Sequence, residues 1–270
     1  MRRLAPYSLT LAALAICGAA AASERHFTYS YESSVLAPGA REIEVWSTWR
    51  RGREQFYSRF DERLELEIGV TDRLMTAFYL NFTSISKDSG VDADADGHND
   101  IATQAEVKGV SWELKYKISD AVADPLGFAI YGEAGLGSGE SAFEVKLIAD
   151  KRIESLLVAA NLVYEAEIAF EGYENEVEHN LEFTAGATYF FAPRFSLGLE
   201  ALSHTIIAEG KVEHSSVFVG PVAFYGAEHF WVTLTTMFQM KATSGATPGY
   251  DVDLRDHERF NARLLFGTDF

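Results

Sequence analysis

Hydrophobic side chains recur at every second position through most of this chain, in runs broken by short polar stretches. Successive side chains of a β-strand point to opposite faces, so each run reads as a strand with one apolar and one polar face. The series opens with Ile43, Val45, Ser47, Trp49, then Phe60, Leu64, Leu66, Ile68, then Leu74, Thr76, Phe78, Leu80, Phe82. It resumes at Val110, Trp112, Leu114, Tyr116, Ile118 and repeats over 126–136, 143–149, 156–168, 181–191, 195–203, 217–225 and 230–240. A twelfth segment, 260–270, ends the chain on the aromatic Phe270. Such segments suit the about 9–11 tilted residues with which a strand crosses a bilayer. Connections after even-numbered segments are short (71–73, 119–125, 150–154, 192–194, 226–229). Those after odd ones include long stretches at 86–103, 170–178, 206–214 and 241–257, with 50–54 and 137–141 as short exceptions. A soluble sandwich has no reason to sort its connections by parity. It also rarely ends on an unprotected apolar edge strand. The pattern predicts an all-β, transmembrane, antiparallel up-and-down barrel of about 12 strands, both termini on the short-turn side, which in bacterial barrels is periplasmic.

The first residues read as a secretory signal. Arg2 and Arg3 precede an apolar run to Ile16, and Ala20-Ala21-Ala22 offers a small-residue cleavage site. The expected division is a signal peptide over 1–22 and one barrel over 23–270, with no internal boundary. Cys17 is the only cysteine, and Ile16 before it departs from the small residue a lipoprotein signal wants. Cleavage therefore leaves no thiol chemistry. The formal charge of −17 excludes nucleic acid as a partner, since its binders carry basic patches. Removing Arg2 and Arg3 makes the charge more negative still.

Two features carry a resemblance. Phe270 looks like the aromatic C-terminus of Gram-negative outer-membrane barrels, which the barrel-assembly machinery reads. Ile68-Gly69-Val70-Thr71-Asp72-Arg73-Leu74 resembles turns of Gram-negative barrels assigned to outer-membrane transport, and Ala192-Pro193-Arg194-Phe195 is a looser echo. The resemblance implies the cell outer membrane, with its lipid and the assembly machinery as partners. It supports the class far better than any substrate.

The polar parity decides whether anything passes. It holds the acids Glu42, Glu44, Asp61, Glu65, Glu67, Glu113, Glu133, Glu144, Glu165, Glu167, Glu182, Glu200 and Asp269. Against them stand Arg59, Arg63, Lys115, Lys117, Lys146 and Arg263. Carboxylate rings select for positive charge. The expectation is a narrow channel for small polar or cationic solutes through an acidic lumen. The alternative is a non-conducting structural or surface-interaction barrel whose interior charges pair across strands. Glu62 is a misfit, sharing parity with Phe60 and Leu64 on the lipid face.

Two further constellations could carry chemistry. Asp92, Asp94 and Asp96 followed by Gly97 match the first half of a calcium loop. The twelfth position is Thr103 rather than Glu, and Glu106 lies too far along, so a solvated acidic loop is the competing reading. His214-Ser215-Ser216 resembles the His and Ser pair of outer-membrane phospholipase and lipid A deacylase. It lacks an orienting third residue and points to the lumen, so no catalytic residue and no enzyme are expected. His204 after Ser203 has the wrong spacing for such a pair, and the sequence shows no clustered-His metal pattern.

Overall fold

The computed structural model describes residues 24–92, 99–171 and 174–270. The expected signal peptide, with Cys17, lies outside the described residues, as do Asp94 and Asp96. Twelve strands follow one another: β1 (Arg41–Arg51), β2 (Tyr57–Gly69), β3 (Leu74–Asp88), β4 (Ile101–Ser119), β5 (Gly127–Leu136) and β6 (Glu140–Ile153). The rest are β7 (Leu156–Glu171), β8 (Glu174–Ala192), β9 (Phe195–Ala208), β10 (Lys211–Gly226), β11 (Phe230–Ser244) and β12 (Phe260–Asp269). Each pairs antiparallel with its sequence neighbours, and β1 pairs with β12 from Glu42↔Asp269 to Arg51↔Phe260, closing the barrel. Closure leaves no edge strand, which resolves the apolar terminal segment.

The period-two pattern maps onto this cylinder as an apolar outside. Phe78, Leu114, Ile130, Leu147, Leu162, Leu199, Leu234 and Leu264 are all exposed. No aqueous monomer leaves so continuous a greasy surface uncovered. Exposed aromatics Tyr116, Tyr189, Phe191, Tyr225 and Phe230 ring the end that carries the short turns, where amphipathic rings favour a lipid–water boundary. The misfit Glu62 accepts a 2.7 Å hydrogen bond from Ser47, its cross-strand partner, so the lipid-facing carboxylate is not left bare. The turn at Thr71 is built locally: its hydroxyl oxygen accepts from the Arg73 and Leu74 amides, 3.2 and 3.0 Å away.

Two long connections read from the sequence are strands instead. Within the expected 170–178 loop, β7 runs to Glu171 and β8 starts at Glu174, and the two pair up to Glu171↔Glu174. The expected 206–214 loop collapses to a two-residue turn at Glu209-Gly210, whose φ angles of 50° and 72° give the twist that suits a hairpin. Polar side chains there hid a paired backbone, because beyond the bilayer neither face of a hairpin need be apolar. The long connections that remain at this end, the loop end, join β3 to β4 and β11 to β12.

The interior also departs from expectation. A hydrophobic core fills the turn-end half, where Trp46, Tyr131, Ile148, Leu157, Phe224, Trp231 and Leu265 from the wall enclose Phe27 and Tyr31 from the segment before β1. The charged parity holds these large apolar positions too, interleaved with the acids.

Candidate functional site

Residues 24–40 form a loop inside the barrel. Glu24 lies beside Gly226 at the turn end, the chain climbs to Thr28–Ser30, and it returns to pair Gly39 and Ala40 with Gly69 before entering β1. Phe27 is wholly buried against Gly186, where a β-carbon would stand 2.5 Å from its ring. Only a glycine lets the aromatic approach the wall so closely.

Glu200, read as a lumen-lining acid, holds the tip. Its carboxylate accepts the Thr28, Tyr29 and Ser30 amides at 3.1, 3.0 and 2.8 Å, and the Thr235 hydroxyl at 2.6 Å. Three backbone N–H groups on one buried carboxylate are charge-assisted bonds, about twice as strong as neutral ones. Asn161 completes a peptide-like pair with Tyr31, accepting its amide at 2.5 Å and donating to its carbonyl at 3.0 Å. Arg263 donates to the Thr28 carbonyl at 3.2 Å, and the Thr233 hydroxyl donates to that of Arg25. The arms of the loop are joined where the His26 amide donates to Glu32 at 2.8 Å.

Beneath the tip, Glu42, Glu44, Glu65, Glu67 and Glu113 are all buried close to the turn end. Glu42 accepts from the Trp231 indole at 2.6 Å, Glu44 from that of Trp46 at 2.9 Å, and Glu113 from the Tyr79 hydroxyl. The inserted segment brings them a cation: Arg25 Nη1 lies 3.8 Å from Glu44, its guanidinium over the rings of Tyr31 and Trp46 at 3.9 and 4.4 Å. Lys115 is buried among the same group.

Above the tip lies a chamber of about 470 Å³. Arg50, Arg59, Arg63 and Arg263 line it from β1, β2 and β12, and Glu144, Glu165, Glu167, Glu178 and Glu182 from β6, β7 and β8. These strand groups lie on opposite sides of the ring, so a basic wall faces an acidic one. On the basic side Asp61 binds Arg50 and Arg59 at 3.1 and 2.6 Å, and Arg63 reaches Glu133 at 2.5 Å. Lys146 neutralises Glu144 at 2.7 Å. Among the described residues Glu165 meets only the Asn180 amide, at 3.4 Å, and Glu182 sits 3.6 Å from His204. The chamber therefore keeps surplus negative charge on one side.

The β11–β12 connection roofs the chamber, supplying His257 and Glu258 to its lining. Gln239 pins it, accepting the Asp253 amide at 2.5 Å and donating to the Asp253 carbonyl at 2.8 Å. Arg53 secures the far side through Glu258 at 2.6 Å. Burial depresses the His257 pKa, outweighing the hydrogen bond to Asp253 that raises it. Burial pushes the Asp253 carboxyl up, but bonds from His257 and from the Asp256 and Arg255 amides outweigh it and hold the group below its ordinary value.

The remaining candidates separate here. His214 does not turn to Ser216; its Nδ1 lies 3.2 Å from Nδ1 of His257, and Ser216 Oγ is buried without a hydrogen-bond partner. Register shifts in β10 on either side of His214 and Ser215 re-aim these side chains. His204, whose spacing from Ser203 suits no His–Ser pair, instead contacts His257 at 2.8 Å. A histidine cluster thus exists despite the sequence showing none, because its members come from β9, β10 and a distant loop. Asp92 lies in the β3–β4 connection, whereas Thr103 is inside β4 and paired through its hydroxyl with Ser86 at 2.9 Å.

A closed antiparallel barrel with a lipid-facing apolar belt and a polar interior is an outer-membrane β-barrel. The chain belongs to a family of unknown function (DUF6662), which matches residues 19–270. No curated protein matches the sequence. Among solved structures it is similar to NanC porin, with a TM-score of 0.53, 11% identity, and 84% of this chain and 98% of that one covered. KdgM porin gives a TM-score of 0.49 at 11% identity, over 85% of this chain and 99% of that one. The translocator domain of autotransporter NalP from Neisseria meningitidis gives 0.47 at 11% identity, over 87% and 89%.

Proposed function

We propose that this barrel is a gated outer-membrane channel for small polar solutes, cations favoured, with both termini in the periplasm. The observation that carries the reading is the chamber. It is polar, walled by opposed charges, and stopped by a segment attached through side chains rather than built into the sheet. Opposed basic and acidic walls orient a dipolar solute, and the surplus carboxylates raise the local concentration of cations. Withdrawal of residues 24–40 toward the turn end would join the chamber to the periplasm. The similarity of the barrel to NanC porin supports a channel role.

Planar-bilayer recording of the full barrel beside one lacking residues 24–36 tests this. The full barrel is expected to give small or brief currents, and the shortened one larger, cation-leaning steps. Heat-dependent gel mobility must show the shortened barrel folded. A folded, shortened barrel that stays silent across salt and voltage overturns the channel and favours a second reading. In that reading Phe27 and its neighbours are a permanent core, and the barrel works through its surface.

A further inference from the structure

The strongest unassigned feature is the meeting of His204, His214, His257 and Asp253 under the β11–β12 connection. His214 Nδ1 is 3.2 Å from His257 Nδ1, and Asp253 Oδ2 is 3.0 Å from that same His257 atom. One ligand atom from each of His214, Asp253 and His257 lies within 4.8 Å of the other two. A tetrahedral zinc site with bonds of about 2.0–2.2 Å sets its ligand atoms about 3.3–3.6 Å apart. The two spacings that involve His257 Nδ1 already approach that edge.

Proton counting points the same way. His257 Nδ1 can carry one hydrogen, and Asp253 takes it. His214 Nδ1 then faces an occupied nitrogen and gains no good bond from it. A cation at the centre uses all three lone pairs at once. The rear of the site is also prepared. With a metal on Nδ1, His257 keeps its proton on Nε2, which lies 2.8 Å from His204 Nδ1. His204 in turn directs Nε2 toward Glu182 Oε1 at 3.6 Å. A ligating imidazole whose second nitrogen donates to an outer partner is the usual way such rings are oriented.

We propose that His214, His257 and Asp253 form a site for a divalent transition metal of the zinc class, with His204 as a positioning residue and a fourth position open to water. The metal displaces the His257 Nδ1 proton to solvent and ties the β11–β12 connection to β10. The assignment stands whether or not the barrel conducts.

The test is calorimetric titration of tag-free, full-length folded barrel in detergent with Zn²⁺, with Co²⁺ absorption as a second readout. One saturable site with tetrahedral Co²⁺ bands is expected, and it is lost in His257→Ala and in Asp253→Asn. His204→Phe should weaken binding about 10–100-fold while leaving stoichiometry unchanged. His204→Asn, whose Oδ1 can replace Nδ1 as acceptor, should restore much of it. Limited trypsin digestion at Arg255 should slow when Zn²⁺ is added to the parent barrel and not to His214→Ala. Gel mobility controls for folding in each variant. Absence of saturable uptake by the folded parent, or uptake unchanged in folded His257→Ala, overturns the site.

Discussion

Glu200 shows how a single side chain can decide what a lumen does. On the sequence it is one of many inward acids; in the fold it collects three consecutive amides of the inserted loop. Hydrogen bonds to a charged group contribute about 1.5–3 kcal/mol each, and because one carboxylate accepts all three, removing its charge weakens them together. Glu200→Gln keeps the shape and removes the charge, so it should loosen the tip without emptying the wall. Hydrogen exchange at the amides of 28–30 is expected to speed up about 10–100-fold. Unchanged exchange at those amides would mean that the apolar packing of Phe27, not the carboxylate, fixes the loop. Neighbouring acids serve different ends: Glu133 pairs with Arg63, while Glu165 faces the chamber with only an amide for company. Parity placed these carboxylates inside; it could not tell an anchor from a lining group.

At the scale of elements, legibility followed the bilayer. Where strands cross lipid, one face must be apolar, and the positions from Ile43 to Phe270 declared number, order and closure. Beyond the lipid that constraint lapses. The β7–β8 and β9–β10 hairpins therefore read as loops, although their backbones stay paired. The histidine cluster was hidden for another reason. His204 and His214 meet across the β9–β10 pairing, which runs through the expected 206–214 loop, and His257 arrives on an inward-folded connection far along the chain. Residues 24–40 also gave little sign of their role, since Phe27, Tyr29 and Tyr31 alternate like a strand yet pair with no neighbour in the sheet. β12 supplies a prediction at this scale. Phe270 is exposed at the turn end, and its amide reaches only the Arg41 carbonyl at 3.4 Å, so the ring contributes little to the folded barrel. Deleting it should leave in vitro refolding in detergent nearly unchanged but sharply lower the folded fraction recovered from cell outer membranes. Equal losses in both measurements would make Phe270 a packing residue rather than a recognition signal.

The molecule as a whole balances a strongly acidic interior against fewer buried cations. Glu42, Glu44, Glu65, Glu67 and Glu113 crowd the turn-end half, and Arg25 is the cation that the inserted segment carries among them. Removing one partner of a buried ion pair costs about 3–5 kcal/mol, because the other charge is left uncompensated. Arg25→Met separates charge from packing: a methionine still covers Tyr31 and Trp46 but no longer answers Glu44. If attraction to the acidic wall seats the segment, the variant should show faster exchange at 28–30, a lower unfolding temperature, and conductance approaching that of the barrel without 24–36. High salt should not reproduce the effect in the parent, since a pair this deeply buried is poorly screened. A variant that melts early but stays electrically identical to the parent would locate the hold in Phe27 and the Glu200 bonds. The acidic cluster would then be a cost that the segment offsets in folding, with no part in the gate.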